Sequence, residues 1–182
     1  MTRILPGYGE RVTLALRAAT AADLAAVGSL HARSRDRAYA GLVPADALRA
    51  VPAAALAQWW TQRWAYERDS HALTVATDGD AAVLGFSYVG PSRTRRAAEL
   101  YAIHVDPDRQ GTGVGRALMI DALGRLGRYG QPTAVLWVLS ANAPARQFYE
   151  AGGWCCDGVT RRAPLGPAVT RQLRYSRALP AA

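Results

Sequence analysis

The chain has 182 residues, a length suited to one domain with a substantial core, and a formal net charge of +8. All 22 of its basic residues are arginine. The absence of lysine excludes a phosphate-binding Gly-Lys-Ser/Thr loop and a lysine Schiff base.

No apolar run reaches the roughly 18 residues of a membrane span, and the opening MTRILPGYGERVTL lacks the apolar stretch of a secretory signal. A cytoplasmic protein with no membrane partner is expected. Cys155 and Cys156, the only cysteines, are adjacent and ill placed for an ordinary structural disulfide. The arginine excess accompanies abundant alanine and reads first as a coding bias. A positive surface would also attract anionic ligands, including phosphorylated cofactors and nucleic acid, and charge alone does not choose.

RVTLALRAAT alternates as a strand, and Thr20 with Asp23 forms a capping-box pattern opening a helix through about Asp36. Pro44 is placed to begin a second helix, and Pro52 precedes a third whose Trp59, Trp60 and Trp64 suggest a core-packing face. HALTVATDGDAAVLGFSYVG reads as a hairpin turning at Asp78-Gly79-Asp80. A further strand puts Glu99, Tyr101, Ile103 and Val105 on one face, with Leu100, Ala102 and His104 on the other, and ends at Asp106-Pro107. Helical spacing runs from about Thr112 to Arg128. TAVLWVLS is a strand buried on both faces, Asn142 caps a short helix ending at Gly152, and two weaker strands surround a Gly/Pro-rich loop. The order predicts an α+β fold with a mixed sheet, in a single domain spanning 1–182.

Between the Asp106-Pro107 stop and the following helix lies QGTGVGR, with glycines at 111, 113 and 115. Backbone amides that end a strand, turn and open a helix converge on one point, where the helix N-terminus adds partial positive charge and an anion can bind. Arg116 can add a charge-assisted contact. On the glycines alone a flexible connection reads equally well. The Gly-x-Gly-x-Gly spacing, late in a mixed sheet, disfavours a nicotinamide cofactor, whose fingerprint is Gly-x-Gly-x-x-Gly in an early βαβ unit.

Gln110, Gly113 and Gly115 resemble the acyl-CoA signature Gln/Arg-x-x-Gly-x-Gly/Ala of the general-control-related N-acetyltransferase (GNAT) superfamily. Asn142, Ala145, Arg146, Phe148 and Tyr149, followed by Gly153-Trp154, resemble its second element. The likeness covers nearly the whole chain and implies a central, mostly antiparallel, twisted sheet of about seven strands flanked by helices. It also implies transfer of an acetyl group from acetyl-CoA to a primary amine of a small molecule or peptide, with no metal. In that family the strand before the glycine loop splays from the next one. By resemblance Ile103, His104 and Val105 would then hold pantetheine, and Gln110 with the amides of Gly111, Thr112, Gly113, Val114, Gly115 and Arg116 would hold the pyrophosphate. Asn142 would contact the cofactor arm, and Tyr149, beside the cofactor, would protonate the leaving thiolate. Homodimers are common in the family.

Acetyl transfer also needs a neutral amine, and Glu99 on the motif strand is the candidate base. Some members carry a glutamate five residues before the asparagine; here that position is Trp137. His31, His71 and His104 lack metal-ligand spacing, and His104 reads as an ordinary strand residue. An alternative is a noncatalytic acyl-CoA-binding or interaction module on the same fold, with nucleic acid a disfavoured partner.

Overall fold

The capping-box pattern forms as expected. The Asp23 carboxylate accepts hydrogen bonds from the Thr20 N–H (2.7 Å) and hydroxyl (2.9 Å) and is clamped by two 2.7 Å bonds from the Arg17 guanidinium. These contacts hold Asp23 well below the usual carboxylate range: the Arg17 hydrogen bond favours the charged form, and burial opposes it. Strand-to-helix entry is thereby fixed at the start of the fold.

The computed structural model describes residues 3–4, 13–78 and 82–180. In chain order the elements are β1 (Arg3–Ile4), β2 (Thr13–Ala18), α1 (Leu24–Tyr39), α2 (Ala45–Arg49), α3 (Ala53–Glu67), β3 (Ala72–Thr77) and β4 (Val83–Pro91). There follow β5 (Ala97–Val105), α4 (Val114–Gly127), β6 (Thr133–Leu139), α5 (Ala143–Ala151), β7 (Cys155–Leu165) and β8 (Ala168–Ala178). One eight-stranded sheet runs β1-β2-β3-β4-β5-β6-β8-β7, antiparallel except where β5 meets β6. The strand beyond the expected seven is the two-residue β1 at one edge. The β3–β4 pairing bears out the hairpin, although Gly79 and Asp80 of its turn lie outside the described residues. The two closing strands are eleven residues each and well paired, longer than their mixed composition suggests.

Helices cover both faces. On one, α1 and α3 pack through Leu24, Val27, Leu30 and Trp60 onto Leu73, Val75, Phe86 and Tyr88. Of the three tryptophans expected to pack, Trp60 is fully buried and Trp59 is 42% exposed. On the other face, Leu118, Met119, Ala122 and Leu126 of α4 cover Leu84, Val89, Leu100 and Leu136. Among the described residues no helix is long and apolar enough to cross a membrane.

Strand β5 departs from simple alternation. Ala102 pairs with Tyr88 but Leu100 pairs with Val89, so Tyr101 is an extra, bulged residue. Before the bulge the even residues Ala98 and Leu100 face α4; after it the odd residues Ile103 and Val105 do, packing beside Val114 and Leu118. Glu99 and Tyr101 therefore share the α1/α3 side with His104, and Ile103 lies on the opposite face. The expectation of Glu99, Tyr101, Ile103 and Val105 on a single face fails at this bulge.

The α1–α3 crossing depends on close backbone approach. A Cβ on Gly28 would lie 2.4 Å from the Ala57 Cα, too close for any relief short of moving a helix. Gly28→Ala should lower stability by about 1–3 kcal/mol, the usual cost of overpacking, outweighing a helix-propensity gain of about 0.5–1 kcal/mol. The urea midpoint, read at unchanged m, measures this.

Candidate active site

The parallel ladder between β5 and β6 lasts from Ala97–Leu100 against Thr133–Leu136. Beyond it β5 stays with β4 up to Val105, paired with Gly85, while β6 stays with β8 up to Leu139, paired with Gln172. The two strands thus part in the middle of the sheet, and their facing N–H and C=O groups are left for something extended to pair with. Ile103, His104 and Val105 form one wall of this opening and are only half-buried.

At the mouth of the opening the chain makes a 3-10 turn, Pro107–Arg109, then Gln110, and enters α4. Gly111 and Gly113 adopt φ of +77° and +92°, a region costly for residues with a Cβ. Thr112 closes the turn by donating from its hydroxyl to the Arg109 carbonyl (2.6 Å). The amides that open α4 have no intrahelical acceptors. Gln110 and Arg116 are exposed beside them, whereas the Val114 side chain is in the core, so that residue can offer only its N–H. Gly115 faces Val105 and Phe148: a Cβ there would sit 3.4 Å from Val105 Cγ2. The loop is tethered to α1, because Asp106 caps the 3-10 turn by accepting from the Asp108 N–H and also pairs with Arg33.

Across the opening, Asn142 is 7% exposed and caps α5 by accepting from the Ala145 N–H at 3.2 Å. Tyr149, on the same helix, packs its ring against the core cluster with the Tyr175 ring centroid 6.3 Å away. Among the described residues its hydroxyl has no hydrogen-bond partner. Burial, then the neighbouring Tyr39, pushes its pKa well above the usual tyrosine value, so it stays a proton-bearing hydroxyl.

The α1/α3 side of the same strands carries the other polar groups. Glu99 is 7% exposed and accepts a 2.7 Å bond from Ser92 Oγ, which in turn accepts from the Thr94 N–H (3.0 Å). Next to it, the Tyr101 hydroxyl donates to the Pro91 carbonyl (2.5 Å), and the Arg63 guanidinium lies 4.7 Å over the Tyr101 ring. Trp137, on the same face of β6, carries the Arg161 guanidinium 4.2 Å over its ring. Ser92 and Arg161 were not singled out in the sequence: Ser92 sits in a loop without a motif, and Arg161 is far in sequence from Glu99 and Trp137, with only the basic Arg161-Arg162 pair as a clue.

Two histidines sit deeper in this face. His104 Nδ1 is 3.0 Å from Ser34 Oγ, its ring stacks on Phe86, and its centroid is 4.3 Å from that of His31. His31 Nδ1 accepts from the Trp60 indole N–H at 3.1 Å. His104 is therefore more than an ordinary strand residue, since it joins β5 to α1 by a hydrogen bond. Among the described residues no cluster of His, Cys, Asp or Glu is arranged to hold a metal ion, and Cys155 and Cys156 are free and exposed.

Residues 37–154 match the family described as "Acetyltransferase (GNAT) family". The chain belongs to the GNAT acetyltransferase family. Over 139 residues it is 30% identical to an uncharacterized N-acetyltransferase, YuaI, of Bacillus subtilis, covering 75% of this chain and 77% of the relative. A mycothiol acetyltransferase of Thermobifida fusca is 34% identical over 107 residues, covering 53% of this chain and 33% of the relative, so the chain spans about a third of that longer protein. The fold is that of the PaiA N-acetyltransferase from Thermoplasma acidophilum, solved in complex with coenzyme A: TM-score 0.75, 15% identity, 91% of this chain and 98% of that one. The YncA structure from Salmonella typhimurium, described with its cofactor acetyl-CoA, matches at TM-score 0.67 and 19% identity over 93% of this chain and 95% of that one. This GNAT chain is accordingly an acetyltransferase, and the family expectation from the two motifs is met.

Burial holds His31 at about 4, with Arg35 lowering it further and Asp36 opposing; His104 is pushed well below 6.5 by burial, then by His31 and Arg35. The folded GNAT domain therefore binds fewer protons than the unfolded chain as pH drops from about 6.5 towards 4, and stability falls across that window. Denaturant midpoints should decline from pH 7.5 to 5, before the carboxylates with lowered pKa, Asp23 and Asp106, begin to contribute. A flat midpoint over that range would mean that the pair is solvated.

Proposed function

We propose that this chain moves the acetyl group of acetyl-CoA to a primary amine of a small molecule or peptide, by direct attack in a ternary complex within one domain. The observation that carries the reading is the parting of β5 from β6 beside the amide-lined start of α4, with Tyr149 on one side of the gap and Glu99 on the other. Acetyl-CoA would supply a thioester already activated for attack. The residues present fit it: Ile103, His104 and Val105 offer an unpaired strand edge to an extended pantetheine arm. Gln110, Arg116 and the amides of 111–116 offer donors to a pyrophosphate. Asn142, half of whose amide is used in the helix cap, would hold the arm from the α5 side.

Tyr149 bears a proton at neutral pH and, among the described residues, spends it on no acceptor, which suits donation to the departing thiolate. Glu99, positioned by Ser92 on the acceptor face, would take the proton of the attacking amine directly or through water. The alternation broken at Tyr101 puts this carboxylate on the face opposite α4, so that amine and cofactor approach from different sides of the sheet.

Acetyl-CoA should raise the melting temperature of the purified protein, by the linkage that rewards any ligand preferring the folded state. Gly115→Glu, which the backbone tolerates at ordinary contact distances, should remove that rise by placing a carboxylate among the phosphate donors. A folded variant with the shift intact would place the cofactor elsewhere and favour a different use of the cleft.

Thiol release from acetyl-CoA over a panel of amines tests the chemistry. Tyr149→Phe should keep the cofactor shift and lose about 10 to 1000-fold in turnover. Glu99→Gln should lose turnover most at low pH and recover partly at high pH, where solvent deprotonates the acceptor. Wild-type turnover in either variant removes that residue from the mechanism, and acetyl-CoA binding without turnover of any amine would favour a noncatalytic module.

A further inference from the structure

On the α1/α3 face, below Glu99, the sheet is not covered by helix. A cavity of about 320 Å³ opens there, lined by Thr94, Arg95 and Arg96 of the β4–β5 loop, by Thr133 and Val135 of β6, and by Asp157, Arg174 and Ser176 of the closing hairpin. It adjoins the candidate base, because Val135 is the ladder partner of Glu99. The Ser92 hydroxyl that holds Glu99 belongs to the loop that carries Arg95 and Arg96. On the far side Arg174 is the ladder partner of Trp137, whose ring bears Arg161.

The charge in and beside this space is unbalanced. Arg95, Arg96 and Arg174 line it with Asp157, and Arg161 lies beside Glu99 on the same face; both carboxylates are engaged, Asp157 accepting from Arg174 Nε (2.7 Å) and from the Val159 N–H, and Glu99 from Ser92. Arg161 spends its Nε on Gln172 (2.7 Å), and among the described residues its terminal nitrogens make no hydrogen bond. Arg96 also holds a φ of +57° and is the only non-glycine among the described residues with a positive φ. Such a backbone is disfavoured for a long side chain and persists where surrounding structure imposes it, often at ligand sites.

We propose that the acceptor of this enzyme is an anionic amine: a molecule whose reactive amino group reaches Glu99 while a carboxylate or phosphate elsewhere on it is bound in the arginine cavity. This deepens the proposed function and rests on its assignment of Glu99's face to the acceptor. Guanidinium groups suit both anions through paired N–H donors. The same positive field disfavours a second ammonium and lowers the pKa of the attacking amine, easing the work of the base. Polyamines, with several cations, are the acceptors such a cavity rejects.

The test uses matched amines that differ only in the anion: a dipeptide with a free C-terminus and its amide, and O-phosphoethanolamine and ethanolamine, with spermidine as the polycation. Two quantities are read, the melting temperature of the acetyl-CoA-loaded protein and kcat/KM for thiol release, in wild type and in the exposed double variant Arg95→Gln/Arg96→Gln. The anionic member of at least one pair should raise the melting temperature and exceed its neutral partner by about tenfold in kcat/KM, as for one charge-assisted contact. The double variant should erase that preference and leave the acetyl-CoA shift intact. Which pair responds tells carboxylate from phosphate. Equal kcat/KM across both pairs, or spermidine as the best acceptor, overturns the inference and leaves the acetyltransferase reading standing. An anionic amine that stabilises the protein through Arg95 and Arg96 while no amine is acetylated keeps the cavity's assignment and sinks the acetyltransferase reading. No response of either quantity to any anionic amine also overturns the inference.

Discussion

The constraint on which this structure depends is that backbone hydrogen-bonding groups inside a sheet must find partners. Six of the eight strands meet it by ordinary pairing. β5 and β6 meet it with each other for four residues only and then diverge, each retained by its outer neighbour. The candidate site is arranged around the groups this leaves open. α4 begins at the mouth of the gap, α5 closes its far side, and the α1/α3 face lies open to a second ligand beneath. A ligand with an extended, amide-bearing arm would restore the missing pairing, as the proposed function requires of the cofactor.

The bulge at Tyr101 gives the gap two distinct sides. Without the extra residue, Glu99 and Ile103 would share a face, and the carboxylate would sit over α4 with the hydrophobic core. With it, the strand keeps Ala98, Leu100, Ile103 and Val105 in one apolar layer while Glu99, Tyr101 and His104 turn to the other. On that other face the polar groups are held by specific partners: Glu99 by Ser92, Glu67 by Arg63 and the Tyr88 hydroxyl, His104 by Ser34. The two histidines stay neutral, so the positive charge there comes from arginine and does not vary over the physiological range.

Much of this was legible in the sequence because local rules and tertiary packing agree. The Thr20–Asp23 cap, the Asp106-Pro107 stop, the glycine turn before α4 and the Asn142 cap are each settled by a few neighbouring residues, and each appears where the pattern puts it. The glycine loop and Tyr149 were accessible for the same reason, as contiguous motifs. What stayed hidden needs a register between distant segments. A one-residue bulge leaves no mark in alternation when the strand, like LYAIHV, is apolar on both sides. Arg95, Arg96, Asp157 and Arg174 meet around one cavity from a loop and two closing strands, and no spacing within any of them announces it. Those closing strands looked weak because β7 is largely exposed, with little apolar periodicity, although pairing to β8 through eight of its residues holds it.

The β7–β8 hairpin is fixed at both ends. Its root joins β6 through β8, and its tip meets α2, where a Cβ on Gly166 would lie 2.6 Å from the Ala47 carbonyl and Leu165 and Ala168 join Val43, Leu48 and Leu139 in a small apolar cluster. At about 3.4 Å per residue such an arm spans some 35 Å, stretched like a strap along the proposed acceptor side. Its length is therefore a ruler set by the distance from the sheet to α2, and a single inserted residue would shift the tip off its seat or reverse which side chains look inward. Residues between the two anchors, Arg161 and Ala163 among them, can change identity without disturbing either attachment. The fold thereby separates a length that is held constant from a lining that is free to diversify.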